Sequence, residues 1–343
     1  MPRLRPCLTL LSLLPSFALA APACQPGQAI DESGFLNIGG IEQWVTIQGD
    51  NCANPVLLVA HGGPANPYTP FGGGPYAAWR KDYTVVHWDQ RGGGMTYGRN
   101  RPAEDEPLTV EQIRDDGLEL ARHIRQRFNK RKLILMGSSW GSIVGANMAR
   151  KDPEQFCAWV GVAQVVGGRQ NRGNWNTVLE RARAADDKAT VAQLEALGPP
   201  PWTNPRNFGI LRRATRKYEL QVTEPTVASW WKVLPAYATP QAKADYDAGE
   251  DYSFINFVGW KGDGMLSKVD MYKLGTRFAL PVYIVQGTED LLTEAKVTRP
   301  YYEAISAPDK AYIEVPRAGH DPNGPLIEAQ KRVLDERVRS KCS

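Results

Sequence analysis

Histidine is scarce in this chain, and long apolar runs, metal motifs and clustered charge are scarcer still. Only four histidines occur in 343 residues. No His-Glu-x-x-His segment and no paired Cys-x-x-Cys is present, so no metal centre and no metal cofactor is implied. Lysine and arginine are scattered, and the formal net charge is only +4, so neither a nucleic-acid nor an anionic-membrane surface is marked. There is no internal repeat, heptad pattern or low-complexity tract, which sets aside solenoids and coiled coils. The glycine-rich segments "HGGPANP", "FGGGPY" and "RGGGMTYG" do not end in Gly-Lys-Ser/Thr and do not fit a dinucleotide fingerprint. Nucleotide binding is therefore not expected.

One long apolar run does exist, at the start. "MPRLRPCLTLLSLLPSFALAAPAC" carries Arg3 and Arg5, then apolar residues to Ala20 with the small-x-small triplet Ala18-Leu19-Ala20. This is a secretory leader pattern, with cleavage near Ala20 and a periplasmic or extracellular destination. Pro15 breaks the run, which is shorter than the roughly 20 residues a bilayer span needs. No other segment could span a membrane, so no membrane association is expected after cleavage. A lipid anchor on Cys24 would want a Leu in the preceding residues, which here are Ala21-Pro22-Ala23.

Cleavage lowers the formal charge to about +2 and removes Cys7, leaving Cys24, Cys52, Cys157 and Cys342. An even count in an exported chain allows two disulfides. Cys24 and Cys52 bracket a hairpin, which favours Cys24 to Cys52 and Cys157 to Cys342. Buried free thiols are the alternative.

Short Val- and Ile-rich runs recur with helical stretches between them: "VLLVAH", "YTVVHW", "KLILMG", "AWVGVA", "VYIVQG" and "AYIEVP". Each reads as a buried strand. Between the second and third, Val110, Ile113, Leu120, Ala121, Ile124 and Phe128 follow helical spacing behind Thr109 as N-cap. This alternation predicts an α/β fold with a mostly parallel sheet covered on both faces. It stops near residue 165 and resumes near 280. The interval holds helix-like segments and five of the ten tryptophans, Trp175, Trp202, Trp230, Trp231 and Trp260. The predicted organisation is a leader (1–20), a core in two parts (21–165 and 278–343) and a helical insertion over one edge of the sheet (166–277).

Three motifs fall at strand ends. In "GSSWGS", Gly137 and Gly141 flank Ser139 where a strand runs into a helix, the setting of a nucleophile elbow. A serine needs a base. His87 lies within a strand, His123 within a helix, and His61 opens a glycine-rich loop, so His320 in "RAGHDP" is the candidate. The base needs a carboxylate, and "GTEDLLT" offers Asp290, with Glu289 as the fallback. Backbone N–H groups of Gly63 and Trp140 are the candidate oxyanion donors.

Together "HGGPANP", "WDQRGGGMTYG", "MGSSWGS", "GTEDLLT" and "AGHDP" resemble the proline iminopeptidase family of α/β-hydrolase serine peptidases. The resemblance covers about residues 35 to 165 and 278 to 335. It implies Ser139 as nucleophile, Asp290 as acid, His320 as base, and Gly62 and Gly63 in the oxyanion segment. It also implies a helical cap over 166–277 whose carboxylates grip a free N-terminal ammonium, beside an aromatic pocket for proline. This chain departs there. The family has Trp followed by Glu, whereas "ASWWKVLP" puts Lys232 after Trp230 and Trp231. Glu219, Glu224 or Glu250 could replace the missing carboxylate. The expected substrate is a short peptide releasing N-terminal proline or a small apolar residue; an ester or lactone substrate, or a silent ligand-binding fold, are the alternatives. Nothing in the sequence sets an oligomeric state.

Overall fold

The computed structural model describes residues 24–103, 106–168 and 170–342. The leader expectation falls on residues outside these. Eight strands form one sheet: β1 (Ile30–Ile38), β2 (Ile41–Gly49), β3 (Val56–Ala60), β4 (Thr84–Trp88), β5 (Leu133–Ser138), β6 (Phe156–Val162), β7 (Val282–Gly287) and β8 (Lys310–Val315). Their spatial order is β1-β2-β4-β3-β5-β6-β7-β8. β1 pairs antiparallel with β2, and β2 antiparallel with β4. All other pairings are parallel.

The apolar runs explain this arrangement. Every residue of β3, β4, β6 and β7 is buried, as expected for parallel strands covered on both faces. The two faces support two apolar clusters. One gathers Leu135, Ile113, Leu120, Ile124 and Trp159, and the other gathers Leu57, Val59, Ile134, Val160 and Val285. Alternate residues of one strand thus feed opposite layers.

The helix predicted after Thr109 runs Val110–Arg127, with Thr109 and Gln112 forming a reciprocal capping box. The Trp140–Lys151 helix lies very close to β6: a methyl at Gly145 would collide with the Trp159 ring. β1 and β2 form the hairpin expected between Cys24 and Cys52, though their exposed residues, Glu and Gln among them, kept them from reading as apolar runs.

Between β6 and β7 the described chain has helices, turns and two isolated bridges, Gly167 with Asp270 and Arg277 with Ser306. It forms Gln170–Ala184, Lys188–Leu197, Arg206–Glu219, Pro240–Val258 and shorter turns. The first three share a small core of Val178, Leu179, Leu194, Trp202, Leu211 and Tyr218. The insertion covers the carboxyl ends of the central strands and not an outer edge, because its helices anchor on the loops after β3, β4 and β8. Ser253 donates to the Gly92 carbonyl, and Arg212 pairs with Asp321. Disulfides join Cys24 to Cys52 and Cys157 to Cys342, the favoured pairing.

Candidate active site

β5 ends at Ser138, and the chain turns at Ser139 with φ 52° and ψ −118° before entering the Trp140–Lys151 helix. A positive φ on a non-glycine residue is costly and persists only when its surroundings impose it. Here they do. A Cβ at Gly137 would strike the Gly141 carbonyl, and one at Gly141 would strike the Ala60 carbonyl. The two glycines let the strand, the turn and the neighbouring β3 pack at backbone distance, which pushes the serine side chain outward. The Ser139 N–H donates to the Val162 carbonyl at 3.0 Å, pinning the turn to β6.

His320 and Asp290 reach this serine from the loops after β8 and β7. His320 Nε2 lies 2.9 Å from Ser139 Oγ, and His320 Nδ1 lies 3.0 Å from Asp290 Oδ2. Asp290 Oδ1 also accepts from the backbone N–H groups of Leu292 (2.9 Å) and Thr293 (2.7 Å). Its Oδ2 accepts from the Thr293 hydroxyl at 2.6 Å. Burial alone would raise the Asp290 pKa, but the His320 charge and these hydrogen bonds overcome it and hold the group down to about 2. For His320, burial lowers the pKa, while the charge and hydrogen bond of Asp290 outweigh it, so the imidazole rests above its ordinary 6.5. Glu289, the fallback, faces Arg181 at 3.6 Å and makes no bond to His320.

The other histidines take structural places. His61 Nδ1–H donates to the Gly62 carbonyl at 2.8 Å, and its Nε2 accepts from the Gln90 N–H at 3.2 Å. Burial pulls its pKa down to about 4, so it stays a neutral strut under the "HGG" turn. Gln90 Oε1 accepts from the Trp140 indole N–H at 2.9 Å, which ties that turn to the elbow. His87 is buried within β4, and His123 is exposed on the Val110–Arg127 helix.

Gly62 and Gly63 sit beside the serine. A Cβ on Gly62 would stand 3.6 Å from Ser139 Cβ. Gly63 adopts φ 118° and would crowd Asn66 if it carried a side chain. Trp140 opens its helix, so its N–H has no intrahelical partner. All four residues border one cavity of about 600 Å³.

That cavity is capped by the helical insertion. Aromatic side chains in its wall include Tyr68, Phe71, Phe208, Trp231, Phe254 and Phe257. Phe257 meets Trp140 edge-on at 5.3 Å, and Trp231 meets Phe71 edge-on at 5.4 Å. The charged lining residues besides His320 are Glu250, Arg212, Arg216 and Asp321.

Three sequence candidates are not brought to the cavity. Glu219 is 3% exposed at the end of its helix, where its carboxylate accepts from the Leu291 N–H at 2.8 Å and supports the Asp290 loop. Glu224 pairs with Arg317 at 2.6 Å. Trp230 packs against the apolar cluster beneath the sheet. Lys232 is exposed and is not a lining residue either, so its charge does not confront a ligand. Sequence reasoning missed Arg212, Arg216 and most of the aromatic wall. The i, i+4 spacing of the two arginines, and Asp321 beside His320, were the available signals.

A mostly parallel sheet with this Ser–Asp–His order and elbow is the α/β-hydrolase fold. A model of the family described as serine aminopeptidase, S33, matches residues 76–324, and the chain belongs to that family. It is similar to a probable aminopeptidase of Bacillus subtilis, YbaC, with 26% identity over 84% of this chain and 90% of that one. A proline iminopeptidase of Neisseria meningitidis is 25% identical over 89% of this chain and 95% of its own. The crystal structure of proline iminopeptidase from Mycobacterium smegmatis shares the fold with a TM-score of 0.59 at 20% identity, covering 91% of this chain and 95% of that chain.

Proposed function

We propose that this hydrolase removes the N-terminal residue, proline or a small apolar one, from short peptides through an acyl-enzyme on Ser139. The observation that carries the reading is the continuous hydrogen-bonded line from Asp290 through His320 to Ser139, opening into a capped aromatic cavity. Neutral His320 accepts the Ser139 proton at Nε2 as Oγ adds to the scissile carbonyl. The Gly63 and Trp140 N–H groups stabilise the resulting oxyanion, whose position the glycine turn leaves open. Collapse breaks the C–N bond, and His320 returns its proton to the leaving nitrogen. A water then adds to the ester, its proton passes to His320 and on to Ser139 Oγ, and the free amino acid leaves.

Glu250 supports an ammonium-bearing substrate. Among the described residues it is the lining carboxylate with no ion pair, whereas Asp321 is engaged by two arginines. The aromatic wall suits a proline ring. Lys232 is exposed outside the cavity, so its charge does not repel an incoming ammonium there.

The test is hydrolysis of prolyl-β-naphthylamide, free and N-acetylated, beside a p-nitrophenyl ester, each with Ser139→Ala as control. Cleavage of the free amide, abolished by acetylation and by Ser139→Ala, is the expected outcome. Turnover of the ester alone would overturn the aminopeptidase reading.

A further inference from the structure

The cavity holds charge of both signs, and the sheet order keeps the two apart. Ser139 follows the last residue of β5, with β3 on one side of that strand and β6, β7 and β8 on the other. Glu250 belongs to the Pro240–Val258 helix, whose Ser253 donates to the Gly92 carbonyl in the loop after β4, on the β3 side of the serine. The positive side lies across the serine, after β8. There Arg212 Nη2 donates to Asp321 Oδ1 at 2.6 Å, and Arg216 Nε approaches Asp321 Oδ2 at 3.1 Å. Being four residues apart on one helix, the two guanidinium groups share a face.

This cluster has more cation than anion. Two arginines share one hydrogen-bonded carboxylate. The buried Arg212 Nη1 finds only Glu219 Oε2, at 3.7 Å, beyond hydrogen-bond range. Burial and the neighbouring Asp290 charge hold Glu219 up to about 7, so its own charge offsets the second arginine only in part at neutral pH. Arg216 keeps 56% of its side chain exposed and so has donors to offer.

The reaction sets which part of a substrate meets this cluster. His320 must hand its proton to the leaving nitrogen, so the leaving residue lies on the His320 side of the scissile bond. Asp321 is the next residue along the chain.

We infer that Arg212 and Arg216 bind the C-terminal carboxylate of the leaving residue, which makes free dipeptides, with ammonium toward Glu250 and carboxylate toward the arginines, the substrate class of this site. The inference rests on the aminopeptidase reading above. Guanidinium groups suit the task, because their planar donors match a carboxylate in pairs.

The experiment compares kcat/KM for prolyl-alanine, prolyl-alanine amide and prolyl-β-naphthylamide, in the wild-type chain and in Arg216→Gln and Arg212→Gln. The free acid should exceed its amide by about tenfold or more, chiefly through KM, as expected for loss of a charge-assisted contact. Each glutamine variant should shrink that ratio, and its loss on prolyl-alanine should exceed its loss on the naphthylamide. Arg216→Gln is the more exposed change and keeps the test valid should Arg212→Gln fail to fold. Equal turnover of acid and amide in an enzyme that cleaves the naphthylamide would overturn this inference alone, as would a preference that survives Arg216→Gln. Failure to cleave any prolyl substrate would overturn the aminopeptidase reading and this inference with it.

Discussion

The strand-end loops and the helical cap face each other across one cavity, but they are built on different terms. In the loops, each group is fixed by several partners. Asp290 accepts from two backbone N–H groups, a hydroxyl and His320, and the Ser139 turn is wedged by glycines on both sides. In the cap, the lining includes aromatic side chains and a few charged groups, and Glu250 is exposed on its helix. A reaction centre needs position to within a fraction of an ångström, whereas a binding wall needs shape and sign of charge. The loops therefore have little freedom to vary, and the cap has much.

That contrast can be broken by substitution on either side. The largest effect is expected in the loops: Asp290→Asn keeps the shape but reverses the hydrogen-bonding partner offered to His320, and kcat should fall on the order of 10⁴-fold. A loss under tenfold, measured by steady-state kinetics on any substrate the wild type turns over, would mean that Asp290 does not orient His320. A smaller, selective effect is expected in the cap. Glu250→Gln should raise KM for a free prolyl amide by about tenfold to a hundredfold, the range of a lost contact to a charged group. An uncharged ester should hardly notice the change. Equal losses on both would show that Glu250 shapes the wall and does not read an ammonium.

The smallest effect falls where the two regions meet. Glu219 reaches from the cap to the Asp290 loop, and its negative charge raises the His320 pKa. His320 must be neutral to accept a proton, so activity should fall in acid, with a midpoint above the ordinary 6.5 of histidine. Glu219→Gln can still accept the Leu291 N–H bond while losing the charge. The acid limb of kcat/KM should then move to lower pH, with a smaller change in the plateau. An unmoved limb would contradict the electrostatic link.

The same contrast governs what was readable beforehand. Five strands could be recognised because buried strands are continuous apolar runs; the sixth, β8, was also read as buried but lies at the sheet edge, where of its residues only Val315 is buried. Thr109 marked a helix start because its cap chemistry is local. Ser139, Asp290 and His320 stood out because their turns need glycine and because strand ends converge in this kind of sheet. β1 and β2 were less legible, being half-exposed strands whose polar residues mask the pattern. The cap was the least legible. Glu219 was a candidate to grip an ammonium and is instead buried under the Asp290 loop, while Arg212 and Arg216, which no motif singles out, border the cavity. Which face of a cap helix turns inward depends on tertiary packing that no local motif encodes.

Labelling with a fluorophosphonate tests most directly whether the loops hold an activated serine. The folded wild-type chain should take up one adduct, mapped by peptide mass spectrometry to Ser139, and His320→Ala should label far more slowly. A folded wild-type protein that stays unlabelled, or that carries the adduct on another residue, would contradict the account.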